Sequence, residues 1–166
     1  MSVYRTLAPW ADLFRSGNSV TSIFGVALGS ILASQGLPSG DFAIITALHC
    51  LSVMTFMFSW NALNDFMDIE IDRINRPDRP LPSGEISEVA ASRGILFTAV
   101  LSFSFLIVAA YVSHSGEIGL DGWLPSLAIW MLALLILFNY ESPSKLSFRM
   151  KDKGLPGNLA ISCLLY

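Results

Sequence analysis

The chain has 166 residues, of which 53% are hydrophobic and only 14% are charged, with a mean hydropathy of +0.58 and a formal net charge of −3. This composition excludes an ordinary soluble globular domain, and the sequence offers no basic, aromatic-rich surface for nucleic acid. We therefore expect an all-α integral membrane protein, built as a polytopic bundle of transmembrane helices.

The first element in the chain is a short amphipathic helix. Residues 3–15 place Leu7, Trp10, Leu13 and Phe14 on one helical stripe ahead of the first long apolar run. Such a stripe is typical of a helix that lies at the depth of the lipid headgroups. We predict that this segment anchors the chain at the membrane surface.

Long apolar runs with few charges follow, and four of them can supply the roughly 20 residues that cross a bilayer. The predicted crossings lie at about 19–38, 42–63, 94–113 and 122–140, and a fifth, 155–166, covers only part of a crossing. We expect residues 1–166 to form a single, incomplete membrane domain.

The positive charges predict the orientation. Lys and Arg residues precede the first crossing, follow the second and follow the fourth, whereas none lies in the loops on the opposite side. Under the positive-inside rule, the N-terminus, the loop after the second crossing and the 141–154 loop face the cytoplasm across the cell membrane.

An acidic motif ends the second crossing, where residues 64–72 read Asn-Asp-Phe-Met-Asp-Ile-Glu-Ile-Asp. On a helix, Asp65, Asp68 and Asp72 fall within roughly 60° of one another, so we predict that they point into one small volume. Carboxylates near lipid are costly without a cation, and Mg²⁺ prefers such oxygen ligands. We predict all three as metal ligands and catalytic residues; the alternative is a solvated acidic helix end.

A proline-rich loop follows the motif. Its three prolines, at 77, 80 and 82, disfavour helix, so the helix should end near Asn75. A stiff loop that holds Arg76 and Arg79 beside carboxylates suits an anion with several oxygens, because guanidinium groups bind phosphate in a bidentate fork. The alternative is a cytoplasmic turn whose arginines only set the topology.

The two motifs together carry a resemblance. The pattern Asn64-Asp65-x-x-Asp68-x-x-x-Asp72, followed by Asn75-Arg76-Pro77-Asp78-Arg79-Pro80-Leu81-Pro82-Ser83-Gly84, resembles the first signature of the UbiA-type membrane prenyltransferases. Within that superfamily the sequence of the motif is most similar to that of the archaeal digeranylgeranylglyceryl phosphate synthases, and next most similar to that of chlorophyll synthase-like members. The stretch from Lys151 to Asn158 also resembles the family. Asn18, which opens the first crossing after Arg15, does so too, although Ser16 follows Arg15 where family members commonly carry proline.

The resemblance implies a larger helical bundle with two Asp-rich cytoplasmic loops that bind Mg²⁺ and a prenyl diphosphate. The first loop maps onto Asn64, Asp65, Asp68 and Asp72, with Arg76 and Arg79 beside the diphosphate. The second loop has no counterpart in the 166 residues. We therefore expect the chain to be the N-terminal half of an enzyme.

The implied reaction transfers a geranylgeranyl group from its diphosphate to the hydroxyl of geranylgeranylglyceryl phosphate, a step of archaeal ether-phospholipid synthesis. Lys145, Lys151 and Asn158 are the candidate contacts to the acceptor. Two alternatives stay open: an aromatic or chlorin acceptor, and a non-catalytic truncated or split half that needs a partner chain with the second Asp-rich motif.

Overall fold

The computed structural model of the chain describes residues 3–116 and 118–141, and the side chains of residues 7–116 and 118–140. Within these ranges the chain is helical and contains no strand, as predicted. The helices are α1 (Val3–Leu13), α2 (Ser16–Ser34), α3 (Gly40–Met67), α4 (Ile69–Asn75), α5 (Glu88–Ser115) and α6 (Gly119–Glu141). Among the described helices, α2, α3, α5 and α6 are long and apolar enough to cross a membrane.

Capping residues set helix ends that the apolar runs did not predict. α2 ends at Ser34, four residues before the predicted end of the first crossing, because Gln35 takes a left-handed conformation and its N–H bonds to the Ile31 and Leu32 carbonyls. α5 begins six residues before its apolar run, since the Ser87 side chain accepts a hydrogen bond of 3.2 Å from the Ala90 amide. The partial crossing 155–166 lies outside the described residues.

The chain forms two compact units, Met1–Gly119 and Leu120–Tyr166. In the first unit, α3 packs against both α2 and α5. The α3–α5 contact is polar and close: the Ser52 hydroxyl donates to the Ser102 carbonyl at 2.9 Å, and the Ser102 hydroxyl donates to the Ser52 carbonyl at 2.8 Å. Small hydroxyl side chains let membrane helices approach and satisfy their polar atoms across the contact.

A small apolar core lies at the Asp-rich end of α3. Its buried members come from α1, α3, the proline-rich loop and α5, and are Leu13, Ala62, Leu81, Ile86 and Ala91. Four separate segments therefore meet next to the acidic motif. Burial of the loop in this core fixes the position of the arginines that it carries.

The predicted membrane-surface helix packs on the protein. Leu13 is fully buried, and Trp10 and Phe14 pack against the core described above. An apolar stripe is equally suited to a protein surface, and anchoring of α1 at the membrane surface stays a prediction. Leu7, 59% exposed, is the member of the stripe that stays outward.

Gly94 provides the space for this docking. A Cβ atom added at Gly94 would lie 2.6 Å from Cζ3 and 3.0 Å from Cη2 of Trp10. The indole ring therefore rests directly against the α5 backbone. Phe14 continues the contact by stacking on Phe58 of α3, with ring centroids 5.3 Å apart.

We expect Gly94→Ala to loosen α1, because the added methyl group must displace the indole of Trp10 and overpacking of this kind costs about 1–3 kcal/mol. The measurement is the rate of proteolysis within α1 in membrane-embedded protein, together with thermal stability. Gly25→Ala is the matched control, since nothing lies within 4 Å of its added Cβ and helix propensity alone should change. Equal behaviour of the two variants would contradict this docking.

Candidate active site

The acidic motif lies on a nearly continuous helix. Asp68 separates α3 from α4 with φ −90° and ψ 7°, yet its amide bonds to the Asn64 carbonyl at 3.0 Å and its carbonyl accepts from the Asp72 amide at 2.8 Å. The helix then ends at Asn75, as predicted. This continuity carries Asp65 and Asp72, seven residues apart, to the same side.

Arg79 joins these two carboxylates. Its Nη1 atom lies 3.0 Å from Oδ1 of Asp65 and 2.7 Å from Oδ2 of Asp72, and each aspartate is only 6% exposed. A turn of four residues, 76–79, precedes the contact with the helix. The Arg79 amide donates to the Arg76 carbonyl at 3.2 Å, and Pro77 occupies the second position, where proline favours such turns. The proline-rich loop thus supplies the cation that two buried carboxylates require.

Asp65 also holds a second arginine. Nη2 of Arg15 lies 2.6 Å from the same Oδ1 atom. Arg15 lies 50 residues earlier in the chain, in the connection between α1 and α2. We call this connection, Phe14 and Arg15, the elbow. Hydrogen bonds between charged partners are the strong ones, so Asp65 ties the elbow, α3 and the proline-rich loop together.

A polar cleft of about 610 Å³ opens beside this network. Arg15, Arg76 and Arg79 line it, together with Asp12, Asp65 and the loop residues 75–80. The lining holds three arginines and also three aspartates, the third being Asp78. A guanidinium group suits an anion with several oxygens, because it can offer two parallel N–H donors.

The structure gathers only part of the predicted set. Asp65, Arg76 and Arg79 line the cleft, and Asp72 is linked to it through Arg79. Asn64 and Asp68 are not lining residues of this cleft, although both make contacts elsewhere.

The predicted convergence of three carboxylates is not found. The described part of the chain contains no group of three or more His, Cys, Asp or Glu side chains that could hold a metal ion. Asp65 and Asp72 both pair with Arg79. The three roles as metal ligands therefore stay predictions.

The donor chemistry nevertheless fits Mg²⁺ in its usual protein setting. Mg²⁺ is commonly bound through one or two carboxylates, with water and substrate phosphates filling the other positions. Asp65 provides a buried carboxylate on the wall of the polar cleft, and Asp68 lies one turn further along the same helix. These residues fit a metal that arrives with a phosphate ligand, and not a dedicated protein cage.

An apolar groove of about 730 Å³ lies on the other side of the elbow. Its wall includes Trp10, Phe14, Met54, Phe58 and Phe97. Phe14 faces this groove whereas the next residue, Arg15, faces the polar cleft. The elbow therefore lies between an apolar compartment and a polar one.

Arg15 and Asp12 are functional candidates that the motif analysis missed. The signal was present at Arg15, which precedes the first crossing as arginine does in the resembled family, but local spacing does not show that it reaches Asp65. The candidate acceptor contacts Lys145, Lys151 and Asn158 lie outside the described residues.

The protein family of the chain is identified by its sequence. The sequence model of the UbiA prenyltransferase family matches residues 22–164, most of the chain. The chain belongs to the UbiA prenyltransferase family. It is accordingly an integral membrane protein, in agreement with its four candidate spans.

Relatives with similar sequences carry one name. A digeranylgeranylglyceryl phosphate synthase of Methanobrevibacter smithii is 33% identical over 92% of this chain and 47% of its own length. The synthase of Haloquadratum walsbyi is 39% identical over 88% of this chain and 43% of its own length. A solved structure from work on the biosynthesis of digeranylgeranylglyceryl phosphate synthase in membranes is 29% identical, with a TM-score of 0.64, over 96% of this chain and 49% of that one. The chain spans about half the length of the relatives that it matches.

Proposed function

We propose that this chain provides the diphosphate-binding part of a membrane prenyltransferase that transfers a geranylgeranyl group to the free hydroxyl of geranylgeranylglyceryl phosphate. The observation that carries this proposal is the arginine-lined cleft beside buried Asp65. The synthase relatives support the choice of donor and acceptor.

The arginines are proposed to bind the diphosphate. Arg76 lines the cleft from the loop, and Arg15 and Arg79 line it while both contact Oδ1 of Asp65. Because the allylic C–O bond breaks with both electrons on the leaving oxygen, negative charge grows on the diphosphate during the reaction. Guanidinium groups already oriented by Asp65 and Asp72 stabilise that charge without rearranging.

Mg²⁺, when bound, would supply further positive charge for the leaving diphosphate. Asp65 and Asp68 are the proposed ligands, with Asp72 orienting Arg79 through the 2.7 Å ion pair. Asn64 keeps its proposed place near the diphosphate, as the family resemblance implies.

The apolar groove is proposed to hold the prenyl chain. Its aromatic wall, with Phe58 on α3 and Phe97 on α5, can enclose an unsaturated hydrocarbon and exclude water from the allylic cation. The acceptor hydroxyl then attacks the allylic carbon and forms the ether bond, and its proton passes to the released diphosphate. Lys145, Lys151 and Asn158 remain the proposed contacts for the acceptor.

We further propose that the cleft faces the cytoplasm, as the distribution of Lys and Arg predicts. A second Asp-rich loop, supplied from outside these 166 residues, would complete the diphosphate site. The single incomplete domain proposed for residues 1–166 fits the coverage of about half of each relative.

The proposal is tested with membranes that contain the 166-residue chain, incubated with radiolabelled geranylgeranyl diphosphate, geranylgeranylglyceryl phosphate and Mg²⁺. We expect EDTA-sensitive labelled ether lipid, either from the chain alone or after a segment with a second Asp-rich loop is added. Membranes that carry Asp65→Asn are the control. No product under either condition would refute the proposed reaction.

A further inference from the structure

The elbow that carries Arg15 has an unfavourable backbone conformation. Arg15 lies between α1 and α2 with φ 46° and ψ 51°, in the left-handed region that residues other than glycine rarely adopt. Its side chain does not cap α2 and instead reaches Asp65. Such a conformation persists only where the surrounding contacts enforce it.

Asn61 contacts the chain on both sides of Arg15. Its Nδ2 atom donates to the Phe14 carbonyl at 3.2 Å and to the Ser19 hydroxyl at 3.0 Å. The Ser19 hydroxyl in turn donates to the same Phe14 carbonyl at 3.0 Å, and Ser19 is fully buried. The three groups form a closed set of hydrogen bonds around the residues that flank Arg15.

Asn61 also lies one helical turn before Asp65 on α3. Two residues on successive turns of the same face of α3 therefore contact the elbow. Asn61 bonds to its backbone, and Asp65 pairs with the Arg15 guanidinium at 2.6 Å. If the backbone contact is lost, Arg15 can relax to a right-handed conformation, which redirects its side chain away from Asp65.

We propose that Asn61 is a positioning residue of the diphosphate site, and that it acts through Arg15 by holding the elbow in the left-handed conformation. The role of Arg15 in binding diphosphate rests on the proposed function. The role of Asn61 in fixing the conformation of the elbow is independent of it. Asn61 itself does not line the polar cleft.

The first test measures the elbow directly, by hydrogen–deuterium exchange of the membrane-embedded chain. The Asn18 and Ser19 amides donate to the Arg15 carbonyl at 2.9 and 3.1 Å. We expect Asn61→Leu to raise their exchange rates about tenfold, because about one net hydrogen bond is lost. The Gly36 amide at the far end of α2 should not change. Unchanged exchange at Asn18 and Ser19 would overturn the proposal.

The second test measures binding of radiolabelled inorganic diphosphate in the presence of Mg²⁺. We expect Asn61→Leu to weaken binding about tenfold in the parent chain, but by less than about twofold in an Arg15→Leu background. Full additivity would show that Asn61 does not act through Arg15 and would overturn the proposal.

Two further variants keep the outcome decisive. Ser19→Ala removes the bridging hydroxyl with a smaller change and should give the same effects if Asn61→Leu fails to fold. Ser52→Ala removes a buried hydrogen bond to α5, away from the elbow, and should lower stability without changing Asn18 exchange. If the parent chain binds no diphosphate even after a segment with the second Asp-rich loop is added, the proposed function fails, and the exchange experiment alone decides the role of Asn61.

Discussion

Asp65→Asn is expected to lower Mg²⁺-dependent prenyl transfer by at least about a hundredfold in an enzyme completed with the second Asp-rich loop. The carboxylate accepts from both Arg15 and Arg79, and a neutral amide can neither balance two guanidinium charges nor serve as a comparable metal ligand. The measurement is turnover of radiolabelled geranylgeranyl diphosphate in membranes. Extraction with alkaline carbonate should show that the variant still inserts.

Glu70→Gln is the matched control for this loss of charge. Glu70 lies in the same acidic run, but its side chain is 77% exposed and pairs with Arg73 on the surface. Its turnover should stay within about twofold of the parent enzyme, since surface ion pairs contribute little. Normal turnover in Asp65→Asn would remove Asp65 from the proposed site.

Arg79→Leu is expected to destabilise the fold as well as the site, by about 3 kcal/mol. The substitution leaves Asp72 and Asp65, each 6% exposed, without the guanidinium that lies between them. Arg79→Lys should recover only part of the loss, because an ammonium is more strongly hydrated than a guanidinium and is therefore less suited to a buried ion pair. Unfolding in mixed detergent micelles gives the free-energy change.

Arg73→Leu provides the comparison for Arg79. Arg73 also contacts two acids, Glu70 and Glu88, yet its side chain is 48% exposed and theirs are more so. Arg73→Leu should lower the free energy of unfolding by less than about 1 kcal/mol. Similar losses for the two arginines would show that burial of the carboxylates does not set the cost.

The sequence predicts the membrane helices well, because the thickness of the bilayer demands long apolar runs whatever else the chain does. It predicts their ends less well, because a cap such as Ser87 or a left-handed residue such as Gln35 decides them locally. The docking of α1 could not be read from its stripe. The deciding feature was the space above Gly94, which exists only once α5 is in place.

Within the site, helical spacing placed Asp65 and Asp72 on one side of the helix, and the prolines predicted its end near Asn75. Spacing gives the direction of a side chain but not its partner. The partners of Asp65 and Asp72 in the structure are Arg79, from the proline-rich loop, and Arg15, from 50 residues away. Such long-range contacts leave no periodic signal in the sequence.

The position of the charge network in the chain affects folding during synthesis. Its four members, Arg15, Asp65, Asp72 and Arg79, all precede α5 in the chain. Two positive and two negative groups can therefore neutralise one another as soon as the proline-rich loop has left the ribosome, in keeping with folding that begins at the N-terminus. The acidic end of α3 then need not wait at the bilayer surface as an unpaired charge while the later helices are being made.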